Sequence, residues 1–137
     1  MPHVVVEYSA NIRGEADIPG LLWRIQKTIL EVGGGDFPVA ALRLRAREYE
    51  DYVIADGEPE YAFVCINVRV AKGRPEELKK RTFDAVFAAV KDHLKPVYDS
   101  RVMGLSMDVE EFGERLAYKA SRLHEKFGTT PFAKAAS

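Results

Sequence analysis

The chain of 137 residues has one cysteine, one tryptophan and almost no charge imbalance, with 20 basic side chains against 21 acidic ones. Each shortage excludes something. The single Cys65 cannot close a disulfide within the chain, and a domain of this size buries roughly two thirds of the surface its unfolded form exposes, so it needs no such staple. A formal net charge of −1 argues against a general nucleic-acid binder, which carries a strong basic excess. Long hydrophobic runs are missing too. Tyr61 to Ile66 and Ala85 to Val90 are six apolar residues each, against about 18 for a membrane span. The opening MPHVVVEYSAN has no basic n-region and meets Glu7 early, unlike a secretory signal. The expectation is a cytoplasmic protein with no nucleic-acid or membrane partner. His3, His93 and His124 stand far apart, with no His-x-x-x-His pair and no cysteine pair, so no metal site is expected either.

What is present is periodicity. Val4, Val5 and Val6 form a β-branched run ended by Ser9 and Asn11, which predicts an N-terminal strand with residue 2 at its end. Ile18, Leu21, Leu22, Ile25 and Ile29 then fall at helical spacing, with Asp17 as cap, Pro19 in the first turn and Gly33 in the left-handed closing position. This predicts a helix over 18–32. Leu42, Leu44 and Ala46 alternate with Arg43, Arg45 and Arg47, the pattern of a strand with an arginine face. After the loop around ADGEP, residues 61–71 read as a third strand. A second helix opens at AKGRPEEL with the stripe Phe83, Val86, Phe87, Val90 and Leu94 and ends at Pro96; a fourth strand covers 102–110.

The order is β-α-β twice, with identical stripe offsets in the two helices. The predicted fold is α/β (α+β): a duplicated β-α-β unit forming a four-stranded sheet with two helices on one face, over residues 1–112. Residues 113–137 add a C-terminal helix over 113–127 and a tail, GTTPFAKAAS, packing on the same domain or on a neighbouring subunit. Two helices cannot cover both faces of a sheet that is apolar on each side (Val4 with Val5, Phe63 with Val64), so burial against other subunits is expected.

Pro2 is the residue with the most chemistry in prospect. Removal of Met1 would leave a secondary amine at the end of a strand, and an α-amino group titrates at about 7.7–8.0 before an apolar site or nearby arginines lower it further. Such an amine is a general base at neutral pH. Were Met1 retained, the proline nitrogen would be an amide without a basic lone pair. Gly33-Gly34-Gly35 follows a helix rather than opening one, so it reads as a C-cap and turn, not a phosphate loop. Cys65, mid-strand, and His3, on the face opposite Pro2, read as structural. Tyr8, Phe37, Tyr52 and Phe63 read as core, with an apolar pocket wall as the other possibility.

The opening MPHVVVEYSANIRGEADIPGLL, the stretch ADGEPEYAFV, the AKGR ahead of the second helix and SRVMGLSMDVEE near the end together resemble the 5-carboxymethyl-2-hydroxymuconate delta-isomerase family of the tautomerase superfamily. The match covers about residues 2–111. The resemblance implies a homotrimer of double β-α-β subunits with Pro2 as acid–base catalyst and no cofactor. It also implies an isomerase of aromatic catabolism that moves a proton along a conjugated 2-hydroxymuconate-type polycarboxylate to give the 2-oxo isomer. By the same resemblance Arg43, Arg45 and Arg74 bind substrate. Arg43 and Arg74 are the firmer assignments, Arg45 stands open between substrate and solvent, and Arg47 reads as surface. Arginine suits the task because its planar fork grips a carboxylate through two donors and keeps its charge. The alternatives are a related tautomerase or hydratase-type dehalogenase acting on another small unsaturated acid, or a non-catalytic trimeric binding or signalling protein.

Overall fold

The structure is a computed structural model and describes residues 2–113 and 115–128. Its regular elements are β1 (Pro2–Ser9), α1 (Ile18–Gly33), β2 (Arg43–Tyr49), β3 (Ala62–Ala71), α2 (Glu76–Ser100), β4 (Met103–Phe112) and α3 (Leu123–Lys126), with 3-10 turns at Ala10–Ile12, Gly34–Asp36 and Val39–Ala41. The strands form one sheet in the order β2-β1-β3-β4. β1 runs parallel to β2 and β3 parallel to β4, while β1 and β3 meet antiparallel in the middle. This is the α+β sheet of two β-α-β units predicted from the periodicity.

The helices form where their stripes and caps place them. The Asp17 carboxylate accepts a hydrogen bond from the Gly20 N–H at 3.1 Å and Pro19 occupies the first turn, where its missing N–H costs nothing. α1 buries Ile18, Leu21, Ile25 and Ile29, and α2 buries Phe83, Val86, Val90 and Leu94. Both stripes close on the alternate strand residues Val4, Val6, Val64, Ile66, Val68 and Val70, so a single core lies between the helices and one sheet face. Each of these fully buried branched side chains contributes about 1.5–3 kcal/mol relative to exposure.

Three sequence expectations are corrected. The left-handed residue closing α1 is Gly34 (φ 59°), whereas Gly33 keeps a right-handed φ of −80°. Pro96 does not end α2, which continues to Ser100. Pro96 and Asp92, the residue four back, are both exposed, so solvent can take up the carbonyl that the missing N–H leaves free. The C-terminal helix is four residues long instead of spanning 113–127, because the chain before it is irregular and Leu116 adopts a left-handed φ of 62° that a helix cannot continue through. The last residues of the tail, 129–137, lie outside the described residues.

The second sheet face mixes the apolar residues expected there with charged ones. In register, it carries His3, Val5, Glu7 and Ser9 from β1, Arg43, Arg45, Arg47 and Tyr49 from β2, Phe63, Cys65, Asn67, Arg69 and Ala71 from β3, and Gly104, Ser106, Asp108, Glu110 and Phe112 from β4. Val5, Tyr49, Phe63, Cys65, Ala71 and Phe112 are its apolar members, interspersed with the charged ones. Among the described residues no helix is long and apolar enough to cross a membrane.

Candidate functional site

Strand direction decides which residues meet. Because β1 and β2 are parallel and β3 is antiparallel to β1, the start of β1, the start of β2 and the ends of β3 and β4 share one edge of the sheet. Pro2 opens β1 there, buried and paired with Val70. Arg43 opens β2 beside His3. Arg74 follows β3 by three residues, just ahead of α2. The fold thus brings Pro2, Arg43 and Arg74, at the extremes 72 residues apart, to one end of one subunit, with Arg43 in register on the His3 face of the sheet rather than on the Pro2 face.

Each arginine is oriented by backbone. Arg43 donates from Nη1 to the carbonyls of Ala40 at 2.7 Å and Leu42 at 3.0 Å. Arg74 donates from Nε to the Asp36 carbonyl at 2.8 Å and from Nη1 to the Ala71 carbonyl at 3.3 Å. Its guanidinium lies over the Phe37 ring, 4.5 Å from the centroid. Phe37 is itself locked in the core, edge-on to Phe83 with centroids 5.8 Å apart. Burial lowers the Arg74 pKa from its ordinary value and the nearby Asp36 opposes the shift. The charge is kept, since a guanidinium stays protonated at any physiological pH.

Arg45 is two residues further along β2 and exposed, with Nη1 at 3.2 Å from the His3 Nδ1. Arg47 is exposed and opposite Glu7, toward the far end of the strand. His3 is on the sheet face opposite Pro2, as its alternation predicted. Its pKa is lowered from the ordinary value by burial first and then by the Arg45, Arg69 and Arg43 cations. The cations therefore crowd this end on both sides of β1. The start of α2 adds a buried ammonium, Lys79, paired with Glu76 at 2.5 Å and with Glu111 of β4 at 2.7 Å.

The aromatic residues divide. Tyr8 and Phe37 are core, whereas Phe63 packs with Tyr49 and Tyr52 at centroid distances of 6.2 and 6.0 Å, at the opposite end of β1 from Pro2. Two cavities of about 610 Å³ are lined by α1 and α2 residues such as Trp23 and Ala88, and by α2 residues with Leu105; neither touches Pro2 or the three arginines. Convergent charge, rather than cavity size, identifies the candidate site. A smaller cavity of about 370 Å³ does reach this end, between His3, Arg69, Phe112 and Lys119. Among the described residues no group of three or more His, Cys, Asp or Glu side chains could hold a metal ion.

Sequence reasoning missed the supports of Arg74 and the arrival of His124. Asp36 and Phe37 could have been suspected from their place between a glycine turn and Pro38. His124 carries no local signal at all: α3 brings it, 7% exposed, onto the Val39–Ala41 turn that precedes Arg43.

An end of a sheet with a potential amine base and two backbone-oriented guanidinium groups can bind an organic polyanion and move a proton on it. The comparisons with known proteins identify the family. Residues 2–127 match the family described as 5-carboxymethyl-2-hydroxymuconate isomerase. The 5-carboxymethyl-2-hydroxymuconate Delta-isomerase of Escherichia coli is 35% identical over 127 residues, which is 93% of this chain and 99% of that one. The crystal structure of a 5-carboxymethyl-2-hydroxymuconate isomerase from Deinococcus radiodurans R1 is 37% identical and superposes with a TM-score of 0.85, over 92% of this chain and 93% of that one. A fused 4-OT described as a symmetric trimer shares the fold alone, at 23% identity and a TM-score of 0.64, over 87% of this chain and 94% of that one.

Proposed function

The chain belongs to the 5-carboxymethyl-2-hydroxymuconate isomerase family of the tautomerase superfamily, and from that premise we propose that it isomerises 5-carboxymethyl-2-hydroxymuconate with the Pro2 amine as acid–base catalyst. The protein is an isomerase. Pro2, once Met1 is removed, takes the proton of the 2-hydroxyl group of the dienol. The electron pair shifts through the conjugated system, C2 becomes a carbonyl, and the protonated amine returns the proton to a carbon of the former diene. One proton leaves oxygen and one arrives at carbon, so neither oxidant nor cofactor is consumed.

Arg43 and Arg74 hold carboxylates of the substrate and stabilise the negative charge that grows on the dienolate oxygen, acting most strongly where charge develops. Their free donor atoms are pre-aimed, because backbone carbonyls and the Phe37 ring fix the rest of each guanidinium. Arg45 is tied to His3 and contributes to the local positive potential more than to direct contact. The subunit works as part of a homotrimer; support comes from the likeness to a structure described as a symmetric trimer and from the half-exposed Val5, Phe63 and Cys65 of the second sheet face.

The observation that carries this reading is the convergence of Pro2, Arg43 and Arg74 on one sheet edge in a chain of this family. The test is turnover of 5-carboxymethyl-2-hydroxymuconate, followed by loss of the dienol absorbance, against 2-hydroxymuconate, which lacks the third carboxylate. The expected result is a kcat/KM at least about tenfold higher for the tricarboxylate, the effect of one charge-assisted contact. Equal rates on both, or none on either, would contradict it.

A further inference from the structure

We propose that His124 is a positioning residue of this site, carried by α3 onto the Val39–Ala41 turn so as to fix that turn and, through it, the Arg43 guanidinium. The inference rests on the assignment of Arg43 to substrate binding made above, and it goes beyond it by bringing the C-terminal segment into the site.

The first support is what α3 chooses to bury. Residues 115–118 and 125–128 are exposed, and within α3 itself Leu123 is 47% exposed and the following Phe127 49%. His124 is the one buried residue of the helix. Docking for stability alone would bury the leucine or the phenylalanine and leave the imidazole in water, since burying a polar ring costs free energy that an apolar one does not. The second support is where it docks. α3 packs on the Val39–Ala41 turn, and Ala40 of that turn, 3% exposed, supplies the carbonyl that receives Arg43 Nη1 at 2.7 Å. A shift of the turn therefore moves the guanidinium.

The third support is electrostatic compatibility. Burial lowers the His124 pKa from its ordinary value, and the Arg43 and Lys119 cations act in the same direction. The ring is neutral beside Arg43 and does not repel it. A neutral imidazole packed at the turn leaves the site's positive charge to the arginines.

The experiment compares His124→Ala, His124→Gln and His124→Leu as folded proteins, in wild-type and Arg43→Ala backgrounds. His124→Ala raises KM about five- to tenfold while kcat stays within about twofold, because a misaimed Arg43 loses uniform carboxylate binding. Gln, which keeps a polar hydrogen-bonding group, restores KM to within about threefold and Leu, which only fills space, does not. In the Arg43→Ala background His124→Ala has no further effect, the signature of a residue acting through another. A turnover-independent arm follows the Arg43 Nε–H resonance by NMR, which shifts in His124→Ala and returns in His124→Gln. A wild-type KM in His124→Leu, multiplying effects in the double variant, or an unmoved Arg43 resonance would each overturn the proposal. Absence of turnover in the wild-type protein would instead overturn the isomerase reading, with the resonance still deciding the role of His124.

Discussion

Arg43 and Arg74 are fixed by bonds to main-chain carbonyls, which no side-chain rotamer change elsewhere can remove, and this separates them from the other arginines of the strand. Replacing either by Ala removes charge-assisted hydrogen bonds of roughly 1.5–3 kcal/mol, about one to two decades in kcat/KM. The loss falls on KM where the lost contact binds a distal carboxylate and on kcat where it stabilises the dienolate. Arg43→Ala and Arg74→Ala are both expected to raise KM more than they lower kcat, with Arg47→Ala near wild type because its guanidinium is exposed toward the far end of β2. Steady-state kinetics on the three variants checks the order; an Arg47 defect equal to the others would contradict it. Arg45 has a different readout. Its guanidinium lies at 3.2 Å from the His3 ring and holds the His3 pKa down, so Arg45→Ala must raise the His3 pKa toward the ordinary value of about 6.5. An NMR titration of the imidazole C–H resonances measures this.

At the scale of elements, the turn after α1 carries the site on a single glycine. Gly33 has ordinary helical backbone angles, so Ala in its place would normally stabilise the chain by about 0.4–1 kcal/mol. Here a Cβ would stand 2.2 Å from the Phe37 ring. Gly33→Ala must therefore push Phe37 away from beneath Arg74, lowering Tm and raising KM together; a raised Tm with unchanged KM would show the ring is free to yield. The same turn shows what the sequence reveals and what it does not. The stripes Ile18–Ile29 and Phe83–Leu94 and the Leu42–Arg47 alternation made the elements legible, because period 3.6 and period 2 are local properties. The path through Pro96 and the brevity of α3 were not legible, since solvent at an exposed proline and a left-handed Leu116 are tertiary outcomes. Pro2 and the arginines were proposed through a family likeness, whereas Phe37 beneath Arg74 and His124 on its turn depend on elements meeting across the fold. Those two histidine-bearing elements, β1 and α3, also set a pH dependence. His3 and His124 both titrate below their ordinary value in the folded chain. As pH falls through about 6.5 the unfolded state takes up protons that the folded state refuses, so stability declines below that point and is level above it. The urea midpoint should drop between pH 7.5 and 5.5, and His3→Gln combined with His124→Gln should flatten the drop.

At the scale of the whole molecule, the sheet offers one face to its own helices and turns the other outward with arginine, glutamate and aspartate among apolar residues such as Val5, Phe63 and Phe112. Such a face suits a contact between subunits built on matched charges as much as on apolar area. Sedimentation equilibrium should return about three times the subunit mass of 15.4 kDa, and a stable folded monomer at micromolar concentration would contradict the trimer. The proposed proton transfer depends on one atom, the nitrogen of Pro2, which is a base only as a free amine. Two samples of the same chain decide it, one beginning at Pro2 and one retaining Met1, each verified by intact mass and assayed on 5-carboxymethyl-2-hydroxymuconate. The sample beginning at Pro2 should carry the isomerase activity and the Met1-retaining sample should be silent; comparable rates from the two would contradict the central claim.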